Sequence, residues 1–455
     1  MNPSIFREYD IRGIVEKDFS LDDVVRIGRG LATYLAGHGS RTCAVGRDCR
    51  PSSLEIRNAL IKGLRKGGAE VIDIGLCPTP VLYFAIRHLK LDGGVMITAS
   101  HNPPEYNGFK VCVGPDTIFG REIHKLRDII ESGQYTSGNG TLHEQEIISS
   151  YCDYVVANVK IERPVRLAID AGNGTGGLTA VPILERLNCD LVKLFIEPDG
   201  NFPNHEPDPT VIRNMKALSE TVVSKGLELG IAFDGDADRL GVVEENGHIL
   251  YGDMLMVLFA REILRTNPGG KFIGEVKCSQ VMYDDIQAHG GVPIMWKTGH
   301  SLIKQKLKDE QALLAGEMSG HFFFRHRYFG FDDALYAGCR LLEIVSRNHQ
   351  PLSSYLSDLP KTYSTPEIRV DCPDAMKFQL VNQVRKMLSG KHRLIDIDGV
   401  RVVFPDGWGL VRASNTSPVI VLRFEAVSES RLQEIRSVVE KAINDARRQL
   451  AITEN

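Results

Sequence analysis

The chain has 455 residues, of which 43% are hydrophobic and 25% charged, and its formal net charge is −4. A single hydrophobic core stops growing near about 250–300 residues, so this length predicts several domains. The mildly acidic balance argues against nucleic acid or anionic membranes as partners. Nine scattered cysteines without a CxxC pair argue against disulfides and zinc. Because the first 30 residues carry charges throughout and no long apolar run follows, we expect a cytoplasmic protein without a signal peptide.

Apolar, β-branched runs alternate with amphipathic stretches of helical length up to about residue 360, the pattern of parallel α/β domains. This layout occurs three times. The predicted strands are 42–48, 70–75 and 94–100, then 165–172, 190–195 and 229–235, then 271–276, 292–298 and 313–316. The predicted helices are 53–66 and 80–89, then 178–187 and 215–225, then 280–289 and 302–309.

The last block differs, with a helix at 375–388, hairpin-like strands at 394–404 and 419–425, and a long helix at 430–450. A Gly- and Ser-rich stretch at 133–141 and a stretch with two prolines at 359–366 are candidate linkers. We therefore predict three similar mixed α/β domains followed by a C-terminal α+β domain. Their expected bounds are 1–150, 151–252, 253–360 and 361–455.

The third strand of each repeat ends in a polar motif: TASHN at 98–102, DGDADR at 234–239 and GEMSGH at 316–321. Open α/β sheets bind ligands outside the carboxyl ends of their strands. Three equivalent ends that carry polar side chains predict that three domains face one central cleft.

Asp234, Asp236 and Asp238 alternate along an extended segment, so their carboxylates can converge on one point. A hard divalent cation relieves the repulsion between such carboxylates. A solvated acidic turn is the simpler alternative, and an EF-hand is excluded because Arg239 stands where that loop requires glycine. We predict a magnesium site, since few protein carboxylates leave room for phosphate and water.

Ser100 follows a buried strand and precedes two prolines, which places it on a stiff loop, and His101 and Asn102 beside it can orient an anion. No G-x-S-x-G elbow surrounds it, so a hydrolase triad is unsupported. Taken alone, such a segment is more often a capping turn. The functional interpretation becomes strong only together with the acidic motif at 234–239.

Two further motifs suit a phosphorylated sugar. The segment RASNT at 412–416 gathers a guanidinium, two hydroxyls and an amide, which match phosphate oxygens, although a polar hairpin turn explains it equally well. Glu317 and Ser319 lie on one side of an extended strand end, where they can bind vicinal hydroxyls. The fingerprint G-x-G-x-x-G at 172–177 we interpret as a tight strand-to-helix turn and not as a dinucleotide site.

Together with EYDIRG at 8–13, NGFK at 107–110 and KTGHS at 297–301, these segments resemble the α-D-phosphohexomutase family, in particular its bacterial phosphomannomutase/phosphoglucomutase branch. The resemblance covers essentially the whole chain in order. It implies four domains around a central cleft, the first three of one topology. Ala237 departs from it, because many relatives carry glycine there.

The resemblance also implies roles for individual residues. Ser100 is the phosphorylated serine and, with Asp234, Asp236 and Asp238, holds Mg²⁺. Glu317 and Ser319 bind the sugar hydroxyls. The residues expected to hold the non-transferring phosphate are Arg412, Ser414, Asn415 and Thr416. The residues expected to line the cleft are Tyr9, Arg12, Lys110, Arg239, Lys277, His300 and His321, with Lys110 and His321 as candidate bases and Arg239 as a charge neutraliser.

The implied reaction interconverts hexose 1-phosphate and hexose 6-phosphate, of mannose or glucose, through a bound hexose 1,6-bisphosphate that also serves as activator. Phosphoglucosamine mutase is the nearest alternative, and Met318 with KTGH at 297–300 favours the hexose 6-phosphate branch. A calcium-binding module and a nicotinamide dehydrogenase are the alternatives from other classes. Stoichiometric phosphate on Ser100 and a nucleotide titration would distinguish them.

Overall fold

The computed structural model describes residues 1–415 and 417–450, which form four β-sheets with flanking helices. The first sheet has the strand order β1-β5-β4-β2-β3-β7, with β6 beside β5. Its strands are β1 (Ile11–Ile14), β2 (Thr42–Arg47), β3 (Glu70–Leu76), β4 (Gly93–Ile97), β5 (Tyr106–Val113), β6 (Asp116–Thr117) and β7 (Leu142–Glu144). Its helices are α1 (Leu21–Gly37), α2 (Ser53–Lys66), α3 (Thr79–His88) and α4 (Arg121–Ser132).

The second sheet has the order β12-β11-β10-β8-β9 and the third β14-β13-β15-β16. The second is built from α5 (Ile148–Asn158), β8 (Arg166–Asp170), α6 (Gly177–Arg186), β9 (Asp190–Leu194), α7 (Lys216–Lys225), β10 (Leu229–Phe233), β11 (Leu240–Glu244) and β12 (Ile249–Leu250). The third is built from α8 (Gly252–Leu264), β13 (Lys271–Glu275), α9 (Gln280–Ala288), β14 (Val292–Trp296), α10 (His300–Asp309), β15 (Leu314–Gly316), β16 (Phe322–Phe324) and α11 (Ala334–Val345).

The fourth sheet is antiparallel, in the order β17-β22-β21-β20-β19 with β18 beside β22. Its elements are β17 (Tyr363–Ser364), β18 (Ile368–Asp371), α12 (Lys377–Leu388), β19 (Arg393–Ile395), β20 (Val400–Phe404), β21 (Gly407–Ala413), β22 (Val419–Ala426) and α13 (Glu429–Gln449). No helix in the described ranges is long and apolar enough to cross a bilayer.

The elements predicted in the three repeats are confirmed to within a few residues. In the last block, the single strand predicted at 394–404 is wrong, because a turn divides it into β19 and β20. Strand β21 was not predicted. Its two glycines, Gly407 and Gly409, weaken the strand signal, although Arg412 and Ala413 belong to it.

The hydrophobic cores explain how the four sheets are connected. One large apolar cluster joins the first three, and it includes Phe84, Val155, Phe259 and Tyr336 from four different helices. The fourth sheet packs against α12 and α13 around a core of its own. A small cluster around Trp408 joins the third and fourth sheets. The first three units therefore share their interior, whereas the fourth is attached at one side.

Candidate active site

The Ser100 loop follows β4, a strand of five fully buried residues. Ser100 adopts a left-handed backbone conformation with a φ of +51°, which is uncommon for a residue with a side chain. Its N–H donates to Thr98 Oγ1 at 2.9 Å, and its Oγ lies 3.0 Å from His101 Nδ1. Only 4% of the residue is exposed, so the serine points into the protein interior.

The acidic loop connects β10 to β11, which pair as an antiparallel hairpin. Asp234, Asp236 and Asp238 are each at most 2% exposed. Oδ1 of Asp234 accepts the N–H groups of Asp238 and Arg239 at 3.0 and 3.1 Å, which closes the turn. Ala237 has a φ of +58°, in the left-handed region that favours glycine.

The Ser100 loop and the acidic loop contact each other directly. Ser100 Oγ donates to Asp234 Oδ2 at 2.6 Å. A Cβ atom on Gly235 would lie 2.4 Å from the Ser100 carbonyl oxygen, so only glycine permits this approach. The first and second sheets therefore bring a hydroxyl and three carboxylates to one point, as the strand-end argument predicted.

Two side chains of the first sheet region complete this cluster. Lys110 Nζ lies 2.7 Å from Asp236 Oδ2 and 2.5 Å from Asp238 Oδ2. Thr79 Oγ1, at the start of α3, donates to Asp236 Oδ2 at 2.6 Å. Burial opposes the charge of Lys110, but the carboxylates of Asp236 and Asp238 outweigh it and raise the lysine pKa. Lys110 is therefore a permanent cation at neutral pH.

The acidic loop fits a divalent cation. One oxygen of each carboxylate lies within 4.8 Å of the others, and Asp236 Oδ1 and Asp238 Oδ1 are buried without a hydrogen-bond partner. Burial and repulsion from Asp238 and Asp236 raise the pKa of Asp234. Lys110 pairs with Asp236 and Asp238, while Asp234 accepts from the Ser100 hydroxyl. Clustered carboxylate oxygens are the hard donor set that Mg²⁺ prefers.

His321 lies between the acidic loop and the loop after β15. Its Nδ1 is 2.8 Å from Glu317 Oε2, and its Nε2 is 3.3 Å from Asp238 Oδ1 and from Arg239 Nε. Burial works to lower the pKa of His321, yet the Asp238 carboxylate and the bond to Glu317 raise it to about 9. Burial likewise opposes ionisation of Glu317, and the bond to His321 lowers its pKa to about 2. Ser319 Oγ also lies 3.3 Å from His321 Nδ1, so the predicted pair Glu317 and Ser319 converges on this ring.

Tyr9 and His300 connect this region to the far end of the cleft. The His300 ring centroid is 5.8 Å from that of His321 and 5.9 Å from that of Tyr9. Burial lowers the pKa of His300, although its Nδ1 lies 3.3 Å from Asp332 Oδ2. Tyr9 OH donates to the Thr298 carbonyl at 3.1 Å and accepts from Asn415 at 2.8 Å.

The end of the cleft formed by the fourth sheet contains cations that are paired with carboxylates. Arg412 Nε donates to Asp398 Oδ2 at 2.6 Å, and the same oxygen accepts the Thr298 N–H at 3.0 Å. Lys277 Nζ lies 3.1 Å from Glu367 Oε2 and 3.4 Å from Glu275 Oε1.

Two other predicted residues, Ser414 and Arg12, occupy different places. Ser414 Oγ, beside Arg412, accepts the Ser417 N–H at 3.1 Å. The predicted residue Thr416 lies outside the described residues. Arg12 lies with the Ser100 loop, because its Nη1 donates to Asn102 Oδ1 at 2.6 Å.

Four family models with one common description match the chain. Models described as phosphoglucomutase/phosphomannomutase alpha/beta/alpha domains I, II and III match residues 3–136, 149–247 and 243–363. The model of the C-terminal domain matches residues 367–442. The chain belongs to the phosphoglucomutase/phosphomannomutase family. This result confirms both the resemblance and the predicted fold class.

Similar proteins match over nearly their full length. Phosphomannomutase/phosphoglucomutase of Pseudomonas aeruginosa is 45% identical over 436 residues, which cover 96% of this chain and 94% of the relative. Phosphoglucomutase of Neisseria gonorrhoeae is 46% identical over 438 residues, 95% of each chain. The crystal structure of a phosphoglucomutase/phosphomannomutase family protein from Burkholderia thailandensis has a TM-score of 0.94 at 42% identity and covers 100% of this chain and 99% of its own. As a member of this family, the chain is an enzyme that transfers phosphate.

Several residues of the candidate site were not identified from the sequence. Thr79 follows a strand end and could have been found by the same rule as Ser100. Asp398 lies in the turn between β19 and β20, and Glu367 lies just before β18, so neither carries a local motif. Only the fold brings them to Arg412 and Lys277.

The glycine-rich segment at 172–177 connects β8 to α6. Thr175 N–H donates to the Gly235 carbonyl at 3.0 Å, and a Cβ atom on Gly174 would lie 2.6 Å from that oxygen. The segment therefore supports the acidic loop of the family site from behind, and its glycines serve close backbone packing.

Proposed function

We propose that the protein interconverts the 1-phosphates and 6-phosphates of hexoses, with both mannose and glucose as substrates. The names of its relatives support this choice of sugars. The observation that carries the proposal is the contact of 2.6 Å between Ser100 Oγ and Asp234 Oδ2, because it joins a nucleophile to a cluster suited to a cation.

Ser100 acts as the phosphoryl carrier in this proposal. Phosphoserine gives its phosphoryl group to the free hydroxyl of a hexose monophosphate, and the resulting 1,6-bisphosphate turns over and returns its other phosphate to Ser100. Phosphoryl transfer depends on positioning and charge neutralisation more than on covalent chemistry. Added hexose 1,6-bisphosphate would therefore activate the enzyme by phosphorylating Ser100.

Charge neutralisation falls to the acidic loop and its neighbours. Asp234, Asp236 and Asp238, together with an oxygen of Ser100, would hold Mg²⁺, which supplies positive charge beside the phosphoryl group when bound. Lys110, which is charged at neutral pH, and Arg239, which is mostly buried near Asp208, add positive charge from the protein. Because Lys110 is held as a cation by two carboxylates, we assign it to neutralisation and not to proton abstraction.

His321 is the proposed group for moving the proton that the reacting oxygens exchange. Glu317 and Asp238 lie 2.8 and 3.3 Å from its ring nitrogens and hold the ring as an imidazolium at neutral pH. The imidazolium donates its proton to the oxygen from which the phosphoryl group leaves, and the neutral ring then accepts the proton of the attacking hydroxyl. The carboxylate of Glu317 remains available to a sugar hydroxyl, beside Ser319.

The opposite end of the cleft holds the phosphate that is not transferred. The proposed contacts are Arg412, Ser414, Asn415 and Thr416, with Lys277, Tyr9, Arg12 and His300 along the wall between the two ends.

The proposal also includes the division into domains 1–150, 151–252, 253–360 and 361–455. Because Glu317 and Arg412 are only 2% and 6% exposed, substrate would enter when the fourth domain moves away from the third.

The direct test is an assay of the purified enzyme with mannose 1-phosphate, glucose 1-phosphate and glucosamine 1-phosphate, each with catalytic bisphosphate. We expect turnover of the first two with kcat/KM values within about a hundredfold of each other, because the proposed contacts grip hydroxyls common to both. A preference of about 10³-fold for one of them, equal to about 4 kcal/mol, would refute dual specificity. Turnover of glucosamine 1-phosphate alone would refute the assignment.

A further inference from the structure

A buried arginine that takes no part in the proposed chemistry lies directly behind the Ser100 loop. Arg50 follows β2, and none of its side chain is exposed. Its carboxylate partner is Asp48, whose Oδ2 accepts a hydrogen bond from Arg50 Nε at 3.0 Å. Phe202 of the second sheet region covers the guanidinium, with its ring centroid 5.2 Å from Cζ. A guanidinium buried this deeply requires acceptors for its remaining N–H groups.

Those acceptors are all backbone carbonyls of one loop. Nη2 of Arg50 donates to the carbonyls of Ser100 and Asn102 at 2.8 and 2.6 Å. Nη1 donates to the carbonyls of Pro103 and Tyr106. One planar side chain therefore holds the backbone of residues 100–106 at four points. The carbonyls of Ser100, Asn102 and Pro103 lie outside regular strands and therefore have no ladder partner.

The same contacts bear on the orientation of the serine. Ser100 has a φ of +51°, a conformation that persists only when its surroundings hold it. In this conformation the carbonyl of Ser100 reaches Arg50 while its Oγ reaches Asp234. Gly235 packs against the same carbonyl, since a Cβ atom at that position would lie 2.4 Å from the oxygen of Ser100. The backbone of Ser100 is thus held between Arg50 and the acidic loop.

We propose that Arg50 is a positioning residue for phosphoryl transfer, which keeps Ser100 in the left-handed conformation that directs Oγ to the acidic loop. This inference rests on the proposed function, in which Ser100 is the phosphoryl carrier. In the step concerned, Oγ bonds to a phosphorus of hexose 1,6-bisphosphate while the bond from that phosphorus to the sugar oxygen breaks. The hydroxyl proton of Ser100 ends on that sugar oxygen, and a hexose monophosphate leaves.

The variant Arg50→Lys tests the role, because an ammonium keeps the charge but lacks the planar fork that reaches four carbonyls. Dephosphorylated protein is mixed with glucose 1,6-bisphosphate, and intact mass follows the phosphate on Ser100. We expect the rate of incorporation and kcat to fall about ten- to a hundredfold, as a small misplacement of a reacting atom does. The KM for glucose 1-phosphate should stay within about threefold, since the sugar contacts lie on other loops.

Arg163→Lys is the matched control. Arg163 pairs with Glu228 and donates to the carbonyls of Val345 and Asn348, at the opposite end of the second sheet from the acidic loop. The substitution Arg163→Lys should lower the unfolding temperature and leave the rate of phosphate incorporation on Ser100 unchanged. Incorporation into Arg50→Lys at the wild-type rate, or a slowing no greater than that of Arg163→Lys, would overturn the inference.

A second variant covers the case in which Arg50→Lys does not fold. Asp48→Asn removes the negative charge that holds Nε of Arg50, so the guanidinium is no longer fixed against the four carbonyls. A slowing of incorporation by about threefold or more supports the role of Arg50, and an unchanged rate overturns it. Failure of the proposed function gives a different result, because the wild-type protein would then take up no phosphate on Ser100.

Discussion

The two ends of the cleft neutralise their charges in different ways. At the Ser100 end, three carboxylates from the second sheet meet the hydroxyl of Ser100 and the single ammonium of Lys110 from the first. At the Arg412 end, each cation lies beside carboxylates, Asp398 for Arg412 and Glu367 with Glu275 for Lys277. At the first end three carboxylates crowd one loop, whereas at the second the carboxylates are distributed among the cations.

This difference suggests how each end meets its ligand. Carboxylates crowded into one buried loop repel one another, so the Ser100 end suits a bound cation. The ion pairs at the Arg412 end satisfy the cations while substrate is absent and must loosen when a phosphate dianion approaches. Removal of a side chain should therefore abolish phosphoryl transfer at the Ser100 end and weaken phosphate binding at the Arg412 end.

The largest effect is expected from Ser100→Ala. The variant removes the proposed carrier, so kcat should fall by about 10³-fold or more while the protein remains folded. A coupled mutase assay and circular dichroism measure the two quantities, and intact mass should show that the phosphate is lost. Near-normal turnover by the alanine variant would contradict the mechanism.

Metal removal should have the next largest effect. Asp236→Asn keeps the shape of the side chain but removes one of three charges, so Mg²⁺ affinity and kcat should fall by about 10–10³-fold. Calorimetric titration with Mg²⁺ and an assay after chelation provide the measurements. Asp253→Asn, which changes a buried carboxylate near Ser279, should retain metal affinity. Full activity of chelator-treated enzyme without added metal would refute the site.

Arg412→Ala should affect the binding end. Loss of the guanidinium should raise KM about 10–100-fold and lower kcat less, because the phosphate that it holds also helps to close the cleft. Phosphorylation of Ser100 by bisphosphate should slow as well. Arg412→Lys should recover part of the affinity, since it restores the charge without the fork. If both variants kept wild-type kinetics, the proposed phosphate site would be misplaced.

The smallest effect is expected from Glu367→Gln. Burial opposes ionisation of Glu367, but the charge of Lys277 lowers its pKa from 4.5 to about 2. A pKa that is lower in the folded state contributes stability above about pH 4.5, and this contribution disappears as the pH falls towards 2. After allowance for partial exposure, the variant should lose about 1–2 kcal/mol of unfolding free energy at pH 7.

Urea unfolding of both proteins at pH 7, 4.5 and 3.5 measures this difference. It should shrink at pH 4.5 and most at pH 3.5, where the carboxylate is largely protonated in the unfolded chain. A difference that stays constant with pH would show that Glu367 acts through packing alone.

The sequence predicted local features better than pairings between distant residues. The helix predicted at 53–66 coincides with α2, because an apolar face, basic residues in the last turn and a following glycine mark its limits. The three aspartates lie within five residues, so their convergence was visible in the sequence. Strand β21 was missed because its glycines lack the side chains that mark a buried strand.

The groups that hold the site residues in place could not be predicted in this way. Arg50 holds a loop that lies about fifty residues further along the chain, and Asp398 pairs with Arg412 across a hairpin. Such pairings depend on the register and packing of whole sheets. The periodicity of the sequence does not indicate which isolated acidic or basic residue will lie next to the cleft.

The hydrogen bond between Tyr9 and Asn415 joins residues that are 406 positions apart. At ribosomal rates of about 5–20 residues per second, about 20–80 s separate the synthesis of these two residues. The Ser100 loop, the acidic loop and the shared core of the first three sheets are complete well before the Arg412 loop leaves the ribosome. A nascent chain that ends in the linker before β17 therefore already contains Ser100 and the three aspartates of the acidic loop. We expect such chains to bind Mg²⁺ before they can bind a sugar phosphate.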